Sequence, residues 1–142
     1  MFGSTTRNFA NTYAKVDLET SIGSASPHKL IAMLYEGALT ALAKASHQMK
    51  TGDVAGKGNS ISQAISIIDN GLRVSLDKKV GGEIAENLDA LYEYMSARLL
   101  MANLNNQAEH LDEVRTLLKE LKGAWDQIDP QAKAEAPALQ RA

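Results

Sequence analysis

Three histidines and a scatter of carboxylates are the residues of this chain best equipped for chemistry. A di-metal site in a helical protein uses Glu-x-x-His pairs on facing helices, and other helical metal sites use His-x-x-x-His or His-Glu-x-x-His. None of these spacings surrounds His28, His47 or His110. Each lies near the start or end of a predicted helix without a patterned partner, and reads as a solvent-exposed helix-end residue. Asp17 with Glu19, and Asp112 with Glu113, would point apart on a helix and read as solvated charges. Gly81-Gly82-Glu83 opens a helix as a phosphate cradle would, but it lacks G-x-G-x-x-G or Walker spacing and any preceding strand. Tyr92 and Tyr94 face different sides of a helix, and Tyr92 is expected to pack with its hydroxyl at the core edge. With zero cysteines, disulfides and thiolate metal sites are excluded. The expectation is no enzyme, no cofactor and no metal.

The elements that carry these residues are long helices. Only three prolines occur, at 27, 130 and 137, so a long middle stretch holds no strong breaker. Ser26 suits an N-cap and Pro27 a first helical position, and Leu30, Ile31, Leu34, Ala38, Leu42, Ala45 and Met49 follow at helical spacing. This predicts a first helix over about Pro27–Lys50, stopped by Gly52. TGDVAGKGN reads as a loop, with Val54 as an alternative early helix start. Further helices are predicted over about Ser60–Leu76, Glu83–Leu104 and Gln107–Ile128, the last stopped by Asp129-Pro130. Short joints imply antiparallel neighbours, hence an all-α, up-and-down four-helix bundle. Residues 1–25 form an N-terminal segment in which Phe9, Tyr13 and Val16 could make a short amphipathic helix, docked or frayed. Residues 26–128 are the bundle, and 129–142 an expected disordered tail.

Wheel arithmetic at about 100° per residue gives the last two helices one core stripe each. These are Ile84, Leu88, Leu91, Tyr92, Met95, Leu99 and Ala102, then Leu111, Val114, Leu117, Leu118, Leu121, Trp125 and Ile128. The second helix has two stripes. Ile61, Ile65, Ile68, Leu72 and Leu76 read as core. Ala64, Ile67, Gly71 and Val74 lie well around the helix, with small residues where another backbone could come close. Tyr94 and Met101 similarly leave the main stripe of the third helix, beside Ala90 and Ala97. Excess apolar surface of this kind marks either a partner site or a wide face buried by a loop or the N-terminal segment.

Composition narrows the partner. At 142 residues and 44% apolar, the chain can bury one domain core. Fifteen Lys and Arg against seventeen Asp and Glu leave a net charge of −2, without the basic excess that nucleic acid or an anionic membrane would attract. No apolar run reaches the roughly 20 residues of a bilayer span, and the N-terminus lacks a secretory core. A cytoplasmic protein is expected.

The run SPHKLIAMLYEGAL, the segment LDKKVGGEIAENLDALYEYM, the following L-x-x-A-N (Leu99 to Asn103) and the closing EVRTLLKELKGAW, with Tyr13 upstream, resemble the flagellin-specific export chaperones of the FliS family. Each piece alone is a weak helical motif, but the ordered set is specific. The resemblance spans roughly residues 9 to 128 and implies an antiparallel bundle that binds the C-terminal segment of new flagellin in the cytoplasm. It further implies that binding prevents premature polymerisation and delivers flagellin to the type III export gate. The family's N-terminal segment can lie over the groove when no partner is present, a role open to Phe9, Tyr13 and Val16. The partner-binding residues expected are Ala64, Ile67, Gly71, Val74, Tyr94 and Met101. The alternative is a self-associating regulatory or structural bundle, a homodimer through the same surplus face.

Overall fold

The computed structural model describes residues 25–128, and everything below concerns those residues. Four α-helices follow in order: α1 (Pro27–Thr51), α2 (Val54–Ile67), α3 (Lys78–Asn105) and α4 (Ala108–Gln127), with a π-helical stretch (Ile68–Arg73) continuing α2. They close an antiparallel ring in which α1 packs on α2 and α4, and α3 on α4 and the α2–π unit. The chain is an all-α four-helix bundle, as its spacing predicts.

Local chemistry sets the ends. Ser26 Oγ accepts from the Lys29 N–H at 3.1 Å and Pro27 occupies the first turn. Gly52 ends α1 at φ +79°, a left-handed conformation that costs glycine nothing. Here the structure corrects the expected loop. Asp53 caps α2 at once by accepting the Gly56 N–H at 3.0 Å, so α2 starts six residues before Ser60. Gly56 is helical, and a side chain there would run into Asp53 and Gln48. Its glycine serves a tight corner between two helices. Lys57, in the same turn, is buried and donates to Asn103 O (3.2 Å) and Asn106 Oδ1 (3.0 Å), satisfying the C-terminus of α3.

At the opposite end, Asp77 accepts the N–H groups of Lys79 and Val80, both at 3.1 Å. Gly82 (φ +54°, ψ −129°) then kinks α3, and the straight helix starts at Glu83, where the sequence places it. Arg73 Nε donates to Asp89 Oδ1 at 2.9 Å and Lys78 Nζ to Asp89 Oδ2 at 3.2 Å, tying the π stretch to α3. Both cations hold the Asp89 carboxyl below its ordinary range.

The core gathers Leu42, Ile61, Ile68, Leu72, Met95, Leu99, Leu111, Val114 and Leu118. Between α1 and α2 it is built from alanines: Ala38, Ala41, Ala45 and Ala64, all buried, which lets these two helices approach closely. Ile84, expected in the core stripe, is 72% exposed, because it lies one residue past the start of the straight helix at the bundle's end. Ile128, expected at the end of the α4 stripe, is likewise exposed. His28 and Trp125 stack with ring centroids 4.4 Å apart and exchange hydrogen bonds. Trp125 Nε1 donates to His28 O at 2.9 Å and His28 Nε2 to Trp125 O at 2.6 Å. The start of α1 is thereby clasped to the end of α4.

Tyr92 also departs from expectation. Its hydroxyl lies inside the core, hydrogen-bonded to that of Tyr35 on the diagonally opposite helix. Burial pushes both phenols up in pKa, so the pair stays neutral. Tyr92→Phe strands one buried hydroxyl and is expected to cost about 1–3 kcal/mol, whereas Tyr35→Phe with Tyr92→Phe removes both and recovers most of that loss. Urea unfolding of Tyr35→Phe, Tyr92→Phe and the double variant checks this, and simple additivity would refute it.

Candidate functional site

Closing the ring leaves one helix with an unclosed face. On the outer side of α3, Ala90, Tyr94, Ala97, Met101 and Leu104 recur at spacings of four and three, with Leu100 beside them. All six are exposed, Leu104 by 70%. Such a seam, small residues alternating with large ones, is the pattern a second helix uses to interlock with a first. At the other end of α3, Val80 and Ile84 are exposed together with Val74. From Ile84 to Leu104 the helix runs about 30 Å.

A polar rim borders the row on the α4 side. Glu113 Oε2 accepts from the Tyr94 hydroxyl at 2.6 Å and Glu113 Oε1 from Arg98 Nε at 2.8 Å. The Arg98 guanidinium lies 5.6 Å from the Tyr94 ring centre. The Tyr94 hydroxyl, then Arg98, hold the Glu113 carboxyl below its usual range, and the carboxylate in turn raises the Tyr94 phenol. Among the described residues no group of three or more His, Asp or Glu could hold a metal ion. No described helix is long and apolar enough to cross a membrane. The clearest offer of this surface is apolar contact edged by directed hydrogen bonds.

Comparison with known proteins decides the family. The profile of the family described as "Flagellar protein FliS" matches residues 9–132. The chain belongs to the FliS family. The flagellar secretion chaperone FliS of Salmonella typhimurium is 52% identical over 120 residues, covering 84% of this chain and 89% of that protein. FliSB of Pseudomonas aeruginosa, also a flagellar secretion chaperone, is 48% identical over 82% of this chain and 91% of its own. The Bacillus subtilis FliS is 30% identical over 77% and 80%. These FliS relatives are named as chaperones, not as enzymes.

Within this FliS-family bundle, the expected site residues separate. Tyr94 and Met101 lie on the outer row of α3. Ala64 does not reach the surface at all: it is 0% exposed in the α1–α2 contact. Ile67 packs against the core, where its Cδ1 would meet a Cβ on Gly37 at 3.4 Å, and a Cβ on Gly71 would come 3.1 Å from Leu34. The small residues of α2 do mark a close approach, but the approaching element is this chain's own α1. Val74 is exposed at the far end, because the π stretch turns it away from the line of Ile67 and Gly71. Phe9, Tyr13 and Val16 lie outside the described residues. Leu100 and Leu104 are additional members of the row. The signal for Leu104 is its place seven residues after Ala97 and three after Met101.

Proposed function

We propose that this protein is a cytoplasmic chaperone that holds the C-terminal segment of flagellin on the outer face of α3. Holding it prevents premature polymerisation until the segment is passed to the flagellar type III export apparatus. The observation that carries the reading is the row Tyr94, Ala97, Leu100, Met101 and Leu104, left open on a bundle whose other helices bury their main apolar stripes. The relatives' names, flagellar secretion chaperone, support the same reading.

Magnitudes fit a releasable hold. Fully burying a large apolar side chain is worth about 1.5–3 kcal/mol, and four half-exposed ones together roughly 3–6 kcal/mol. A segment that orders on binding gives back about 2–5 kcal/mol. The row alone is a weak site, so a stable complex needs the segment to continue, and Val74, Val80 and Ile84 at the other end of α3 offer the next foothold. Phe9, Tyr13 and Val16 are proposed to cover this face when flagellin is absent.

Co-purification tests the reading. Full-length flagellin should be captured, and flagellin lacking its last few dozen residues should not. A chaperone lacking residues 1–20 should capture at least as well as the full chain. Equal capture of both flagellins would overturn the proposal, and micromolar dimerisation without flagellin binding would favour self-association instead.

A further inference from the structure

We propose that Arg98 sets the register of the bound segment by taking the carboxylate of an aspartate or glutamate side chain on it. This rests on the reading that the outer face of α3 holds flagellin. A guanidinium carries five N–H donors in a rigid fork. Arg98 spends one, Nε, on Glu113 Oε1 at 2.8 Å, and its Nη1 and Nη2 groups have no acceptor among the described residues. Both oxygens of Glu113 are already engaged, one by Tyr94 and one by Arg98. The arginine is therefore held along one edge, beside the Tyr94 ring, with its other edge open on the same flank as Tyr94 and Met101. Its side chain is 36% exposed, so a chain lying on the row would cover it.

Covering those donors without pairing them would cost more than the contact returns, because hydrogen-bonding groups dried and left unpaired lose their water. A bound segment must bring an acceptor to this point. A carboxylate is the one that matches two parallel N–H groups.

The straight part of the helix disfavours other positions for that acid. On the straight run from Glu83 to Asn105, Arg98 is the one cation, against Glu83, Glu86, Asp89 and Glu93. Asp89 is already paired with Arg73 and Lys78. Between Glu83 and Glu93 an acidic side chain would meet like charge, so attraction at Arg98 and repulsion along that stretch favour one alignment on the row.

Calorimetric titration of the full chain with a synthetic peptide of the flagellin C-terminal segment tests the assignment. Arg98→Gln should bind about tenfold to a hundredfold more weakly, and Arg98→Lys should recover only part, keeping charge without the fork. Circular dichroism melts should show Arg98→Gln folded, since a surface ion pair adds little to stability. Neutralising the peptide's acids one at a time should find one whose loss weakens binding to the native chain and changes nothing further in Arg98→Gln. Native binding by Arg98→Gln would overturn the proposal, as would additive losses in every pairing. A loss seen only on amidating the peptide's C-terminus would overturn it too, since the chain-end carboxylate would then be the group read. Should the native chain not bind the peptide, the flagellin reading itself fails, and this assignment with it.

Discussion

Ala64→Asp is expected to leave the chain unable to form its bundle. Ala64 has no exposed surface and faces α1 where Ala38, Ala41 and Ala45 bring the two helices together. A carboxylate at this fully buried position would lose its water, at several kcal/mol even after relaxation. It would also overfill a seam built for methyl groups, adding about 1–3 kcal/mol. Set against a typical total stability of about 5–15 kcal/mol, the sum removes most or all of it. Circular dichroism should show lost helicity or a thermal midpoint lowered by tens of degrees. Ala64→Leu isolates the steric part and should be destabilised but folded. Val74→Asp, on a side chain 73% exposed, should melt like the native protein. A folded, native-like Ala64→Asp would mean that α1 and α2 are not packed as described.

The contrast between Ala64 and Val74 shows what the residue pattern carries and what it does not. Helices α1, α3 and α4 are legible because their ends are written in strong signals: Ser26-Pro27, Gly52, Gly82 before Glu83, and Asp129-Pro130. The start of α2 is not, since Gly56 and Gly58 look like loop residues. Only the three-dimensional corner shows that Gly56 is glycine because Asp53 and Gln48 occupy the space of its side chain. The second stripe of α2 is misread for a related reason. A wheel reports that Ala64 and Gly71 admit a close neighbour but not which one. The counterpart was present in the sequence, in Gly37, Ala38, Ala41 and Ala45 on α1, a complementary row of small residues. The π stretch adds a further obstacle, because it breaks the 100° step that places Val74 in line with Gly71.

The outer row of α3 is more visible in sequence because its helix is regular from Glu83 to Asn105 and the steps of three and four run unbroken. The Tyr94–Glu113–Arg98 rim is not. It joins residues 15 and 19 positions apart on two different helices, α3 and α4, and nothing in either segment alone announces the pairing.

Met101→Gln combined with Leu104→Gln should abolish useful capture of flagellin while sparing the fold. Both side chains are exposed, and glutamine is a good helix former of similar length, so each change should shift stability by no more than about 0.5 kcal/mol. Under a bound segment the same amides lose their water. Each forfeits about 1 kcal/mol of apolar burial and adds about 1–3 kcal/mol of unpaired polar desolvation. For the pair that is roughly 4–8 kcal/mol, or at least about 25-fold in affinity even if half is recovered by local adjustment. Glutamine adds no charge, so the loss would report on the apolar row and not on the acid recognised by Arg98. Val74→Gln, about one helix length away, should weaken capture by much less, because it touches only the second foothold. If Val74→Gln removes capture and the double variant does not, flagellin lies at the π-stretch end of the bundle and the row on α3 serves something else.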